Sequence, residues 1–176
     1  MATVFKLIKP ARLKEDAFRL FMLNAMRKSG REIKAEYAKT TATWAHPVKF
    51  ETLVSLAGAM FTVLVDTNNK IFSYVDKGTG QAAGHGGLYP ITPHPPRKAL
   101  RWNSKFSSKT VPGVVGSLPG YSGGDPVFAK RVMHPGIEPR DFTKNIEKVY
   151  QPKFKKNCAE AMRQFAKGSG HYAGRK

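Results

Sequence analysis

Residues 128–142 read FAKRVMHPGIEPRDF: a short apolar strand, a Pro-Gly turn, a second proline and the first residues of a helix. His134-Pro135-Gly136-Ile137 suits a type II turn, because proline fixes φ at the second position and glycine accepts the positive φ needed at the third. Pro139 then restrains the chain ahead of a helix that begins after Asp141. With strand before this boundary and helix after it, the chain reads as α+β. The expected architecture is a long N-terminal helix, a small antiparallel β-sheet with extended loops, and a C-terminal amphipathic helix packed on the sheet.

Beyond the boundary, residues 141–167 form that last helix. Phe142, Ile146, Tyr150, Phe154, Cys158, Met162 and Phe165 recur every three or four residues, and Lys144, Lys148 and Lys155 fall on the opposite side. Pro152 costs about 3 kcal/mol in a helix interior, so a kink or a restart there is expected. Residues 168–176 read as a basic flexible tail.

Ahead of the boundary, residues 103–126 are rich in Ser, Gly and Pro and read as a long loop or arm, the kind of segment that usually has a job in a compact domain. Ala99 to Trp102 reads as a short strand. Residues 89–96 hold four prolines, which suit an extended or edge segment and exclude a central strand. The glycine-rich stretch 78–87 is a loop, so that about 78–97 and 103–126 are the two long loops of a single domain spanning 1–167. Val48, Phe50, Thr52, Val54 and Leu56 alternate as one face of a strand, residues 59–66 form a second, and Ile71 to Val75 forms a third beyond a Thr67-Asn68-Asn69-Lys70 turn, together a meander.

The N-terminal helix covers about residues 13–37. Ala17, Phe18, Leu20, Phe21, Met22, Leu23, Ala25 and Met26 point all round it, more than one contact face can bury. A subunit interface carried by Phe18, Phe21, Met22 and Met26 is therefore expected. Ser29-Gly30 weakens the middle by about 1 kcal/mol relative to alanine, which makes a kink or break plausible there.

The chain has 176 residues, 41% of them hydrophobic and 24% charged, enough for one domain with a real core. The longest apolar run is too short to span a bilayer, and the opening residues lack the features of a secretory signal, so assembly in a cytoplasm is expected. A single cysteine, Cys158, excludes an intramolecular disulfide and a Cys-rich zinc site. Thirty Lys and Arg against twelve Asp and Glu give +18, distributed as +7 over residues 1–50, +3 over 51–129 and +8 over 130–176. Such an excess favours a polyanion or an acidic protein surface as partner.

Motifs for catalysis are weak. Gly120-Tyr121-Ser122-Gly123-Gly124 matches G-x-S-x-G, but Pro119 and Asp125-Pro126 flank it, without the helix that would supply an oxyanion hole. Gly78-Thr79-Gly80-Gln81-Ala82-Ala83 matches G-x-G-x-x-A, yet continues into more glycines and prolines instead of a helix. The five histidines, at 46, 85, 94, 134 and 171, show no ligand spacing. Cys158 sits on the apolar stripe as a small hydrophobe. The expectation is a protein that is not an enzyme, with no catalytic residue, metal or cofactor.

Three segments taken together carry a resemblance: Tyr74-Val75-Asp76-Lys77-Gly78-Thr79, Ile91-Thr92-Pro93 through Leu100-Arg101-Trp102, and His134-Pro135-Gly136 before the last helix. In order and spacing they resemble the tail-completion and head-tail-joining minor tail proteins of tailed bacteriophages, with Asp76 where a glutamate is commoner and with longer loops. The resemblance implies a virion protein forming a ring at the neck or upper tail, a hexamer in preference to a dodecamer. Its implied partners are portal, adaptor or tail-tube proteins, with weak DNA contact at most and no membrane. His134, Pro135 and Gly136 are the family-motif turn. The other expectation, drawn from charge alone, is a sequence-nonspecific nucleic-acid-binding protein.

Overall fold

A computed structural model describes residues 14–57 and 60–169 of the chain. In chain order these form helix α1 (Glu15–Thr40), strands β1 (Glu51–Ala57) and β2 (Met60–Asp66), helix α2 (Lys70–Lys77), a single 3-10 turn (Gln81–Ala83), strands β3 (Tyr89–Ile91), β4 (Leu100–Ser107), β5 (Tyr121–Ala129) and β6 (Val132–His134), and helix α3 (Phe142–Gly168). The strands pair as three two-stranded antiparallel sheets, β1-β2, β3-β6 and β4-β5. This is the expected α+β class, but not one meander. The expected basic tail lies almost wholly outside the described residues.

Where a single domain was expected, the chain divides into two compact units. One comprises Met1–Glu36, Phe50–Thr67 and Ile146–Lys176, the other Tyr37–Lys49 and Asn68–Asn145.

In the first unit, hairpin β1-β2 runs in register from Glu51 opposite Asp66 to Ala57 opposite Met60. Its alternation directs Val54, Leu56, Phe61 and Val63 onto a core built from Met22, Ala25 and Met26 of α1 and Cys158 and Ala161 of α3. Phe18 meets Phe61 edge-on at 6.1 Å and Phe165 at 5.4 Å, and Phe21 also meets Phe165. The hairpin and α3 thus bury a broad arc of α1 within one chain. The expected subunit interface is corrected accordingly: Met22 and Met26 are core residues, Phe18 and Phe21 pack against that core, and of the apolar block Leu20 is the clearly exposed member.

Helix α1 is continuous through Ser29-Gly30, where a break was expected. A Cβ on Gly30 would stand 2.5 Å from Thr52 Cγ2, so glycine serves the close approach of helix and hairpin. Helix α3 likewise runs through Pro152 without a restart. Asn157 donates to Ser29 Oγ (2.9 Å) and the Tyr150 hydroxyl to Glu36 (3.2 Å), polar links between the two helices inside this unit. The apolar stripe of α3 is as expected except that Ala161 is buried in place of Met162.

In the second unit, residues 70–77 are helical where a strand was expected. The Asn69 side chain caps the helix by accepting the Phe72 N–H at 2.9 Å, and burial of Phe72 and Asp76, four residues apart, selects the helical period. Phe72 packs on Tyr37, Trp44 and Phe142 with ring centroids 5.8 to 6.2 Å apart. The two ends of the expected loop at 103–126 are strand, belonging to β4 and β5, and leave a connection at 108–120. That connection is tied down: Leu118 N–H donates to the Lys109 carbonyl (2.7 Å), Thr43 Oγ1 to the Leu118 carbonyl (2.9 Å) and Ser117 Oγ to the Lys39 carbonyl (3.1 Å).

Candidate functional site

Two of the three segments that carry the family resemblance are hydrogen-bonded to each other. Thr79 N–H donates to the Ile137 carbonyl (2.8 Å), Ile137 N–H to the Thr79 carbonyl (3.1 Å) and hydroxyl (3.0 Å), and Ala82 N–H to the Pro135 carbonyl (2.8 Å). Gly136 has φ +102°, as the turn reading required, and a Cβ there would overlap the Thr79 carbonyl oxygen. Ile137 N–H bonds across to Thr79, however, and not back to His134, so the turn is open and the 78–82 segment holds it. His134 Nδ1 accepts the Gly136 N–H at 2.9 Å, and its ring packs on Tyr89 with centroids 5.6 Å apart.

The buried Asp76 carboxylate closes the junction. Its two oxygens accept the Thr143 N–H (3.0 Å) and hydroxyl (2.7 Å), which caps the first turn of α3 from outside the helix, and its backbone carbonyl accepts the N–H groups of Arg140 and Asp141. Gly78, at φ +73°, lies so near that a Cβ would stand 2.6 Å from the Ile137 carbonyl oxygen. The motif residues therefore make a rigid joint between a glycine loop and the start of α3. Beside it, Lys144 bonds Asp141 at 2.7 Å, and that hydrogen bond and charge raise the ammonium pKa above its ordinary value.

The third segment lies on β4, in a different kind of surface. Strands β4 and β5 pair from Leu100 opposite Ala129 to Ser107 opposite Tyr121, with an irregularity between Asn103 and Lys105. No residue of either strand is buried. Phe106 is 74% exposed, Phe128 62%, Tyr121 59% and Trp102 41%. Two-stranded ribbons without a covered face are marginal in water. Between residues 97 and 131 the chain carries seven Lys and Arg and one acid, Asp125. A cleft of about 710 Å³ opens where β4-β5 meets β3-β6, lined by Ile91, Leu100, Arg101, Trp102, Asn103, Phe106, Ser122, Val132 and His134. Of the expected site residues, only His134 reaches this cleft; Pro135 and Gly136 belong to the joint, and Phe18, Phe21, Met22 and Met26 to the other unit.

Sequence reading found the start of β4, Ala99 to Trp102, but missed the rest of the ribbon within 103–126 because its Ser, Gly and Pro content resembles loop. The signal it left was the near-absence of acids among aromatics, diluted when charge is summed over residues 51–129.

The catalytic motifs fall on other structure. Ser122 lies within β5, its hydroxyl 3.4 Å from Asn103 Nδ2, and Gly78 to Ala83 lead into one 3-10 turn. Burial of Cys158 pushes its thiol pKa up, which makes it a poor nucleophile at neutral pH. Burial, and then the Glu36 carboxylate, raise the Tyr150 phenol pKa. Among the described residues no three His, Cys, Asp or Glu side chains gather as metal ligands, and no helix is long and apolar enough to cross a membrane. No protein-family model, no curated protein and no solved structure matches the chain.

Proposed function

We propose that this chain is a structural protein that acts by assembly, a ring component at the neck or upper tail of a tailed-phage virion, and not an enzyme. The observation that carries assembly is the β4-β5 ribbon, seventeen strand residues with none buried and four large aromatic side chains in solvent. A ribbon with open edges and exposed aromatic side chains gains further stability when a neighbour covers it. The placement at a neck or upper tail rests on the three motif segments, two of which build the joint that anchors α3. Six copies are favoured over twelve, with portal, adaptor or tail-tube proteins as neighbours.

The test is deletion of the gene in the phage that carries it, with mass measurement of the purified protein. The reading expects separate heads and tails in the deletion lysate and a multimeric protein in virions. Normal joining without the protein overturns it.

The basic side chains of the ribbon favour one other reading, sequence-nonspecific nucleic-acid binding through phosphate neutralisation. That reading expects duplex binding that falls steeply with salt and does not depend on sequence.

A further inference from the structure

We infer that the cleft along β4 binds an extended, acidic segment of a partner protein by strand addition. Leu100, Arg101, Trp102 and Asn103 line it in succession. A strand presents alternate residues to either face, and successive residues only along its edge. The cleft therefore reaches the outer edge of β4, which among the described residues pairs with β5 alone, and extends over the ribbon as far as Ser122 of β5. An added strand would use that edge for main-chain hydrogen bonds and set alternate side chains among Ile91, Leu100, Trp102 and Val132.

Charge selects the occupant. Arg101 lines the cleft, Arg97 and Lys98 precede it, Lys105 follows, and Asp125 is the one acid between residues 97 and 131. Asp or Glu alternating with aliphatic side chains satisfies both the apolar wall and the basic rim. A second copy of the ribbon would bring like charge to like charge. Duplex DNA would meet the basic rim but leave the apolar wall unfilled. The inference goes beyond the virion reading and stands apart from it.

The probe is a fluorescein-labelled peptide of about ten residues alternating Asp with Val or Ile, followed by anisotropy against the full chain. Dissociation near roughly 10 to 100 µM is expected. Arg101→Glu and Trp102→Ala each weaken it about tenfold or more, while Lys148→Glu on exposed α3, with the same charge change as the first, does not. Thermal unfolding confirms that all three variants are folded; Arg101 is exposed, so its replacement leaves the fold intact. A peptide N-methylated at alternate amides keeps its side chains and loses the edge hydrogen bonds, and it should not bind. Equal binding of the methylated peptide, equal binding by Arg101→Glu, or binding only to a labelled DNA duplex overturns the inference.

Discussion

Hairpin β1-β2 and ribbon β4-β5 have the same secondary structure and opposite surroundings. Both are two-stranded, antiparallel and seven to nine residues per strand. In the first, Val54, Leu56, Phe61 and Val63 face α1 and α3, and the exposed Leu53, Leu64 and Met60 lie on the other face. In the second, no residue is buried on either face. The comparison teaches that hydrogen-bonded pairing alone does not say where a sheet gets its stability. The hairpin is held by the core beneath it; the ribbon is held by its ladder and tied loop, with its apolar side chains available to a partner.

The comparison breaks most severely if the hairpin's core proves dispensable. Met22→Asp should abolish cooperative unfolding in circular dichroism, since an unpaired carboxylate would sit among Met26, Phe61 and Cys158. A soluble, folded, smaller species from that variant would restore the subunit-interface reading of α1. Phe61→Ala, a milder probe of the same core, should cost about 3–5 kcal/mol in urea unfolding.

Next in size is the joint. Gly136→Val should lose about 3 kcal/mol, because the branched side chain meets both a positive φ and the Thr79 carbonyl. An unchanged midpoint would mean that the 78–82 segment does not hold the turn.

The smallest effect is expected on the ribbon. Phe106→Ser should change stability by no more than about 0.5 kcal/mol. Backbone amides of residues 100–107 and 121–129 should exchange with solvent faster than those of 51–57 and 60–66. A large loss of stability in Phe106→Ser would show that the monomer already covers the ribbon, and would sharpen the contrast by removing it.

Much of this was legible in the sequence, for local reasons. The alternation from Val48 to Leu56 marked a strand whose register gave an inward and an outward face, and the spacing of Phe142, Ile146, Phe154, Cys158 and Phe165 marked one long helix. Gly136 announced a positive φ because the Pro-Gly pair tolerates few other conformations. Each signal lies within a few residues of the structure it specifies.

What the sequence by itself determined, then, was the α+β class, the extent of the two long helices, the first hairpin and the turn before α3. Tertiary structure alone decided three things. It made Ile71 to Val75 helical, since burial of Phe72 and Asp76 outweighed an apolar pattern equally suited to a strand. It turned the ends of a Ser-Gly-Pro stretch into a ribbon, because Asn103 to Ser107 and Tyr121 to Pro126 become strands only by pairing with each other across a connection of thirteen residues, 108–120. And it sorted the apolar side chains into covered and uncovered, placing Met22 and Met26 in the core and Trp102 and Phe106 in solvent. Burial depends on which distant elements arrive at a residue, and no local pattern records that.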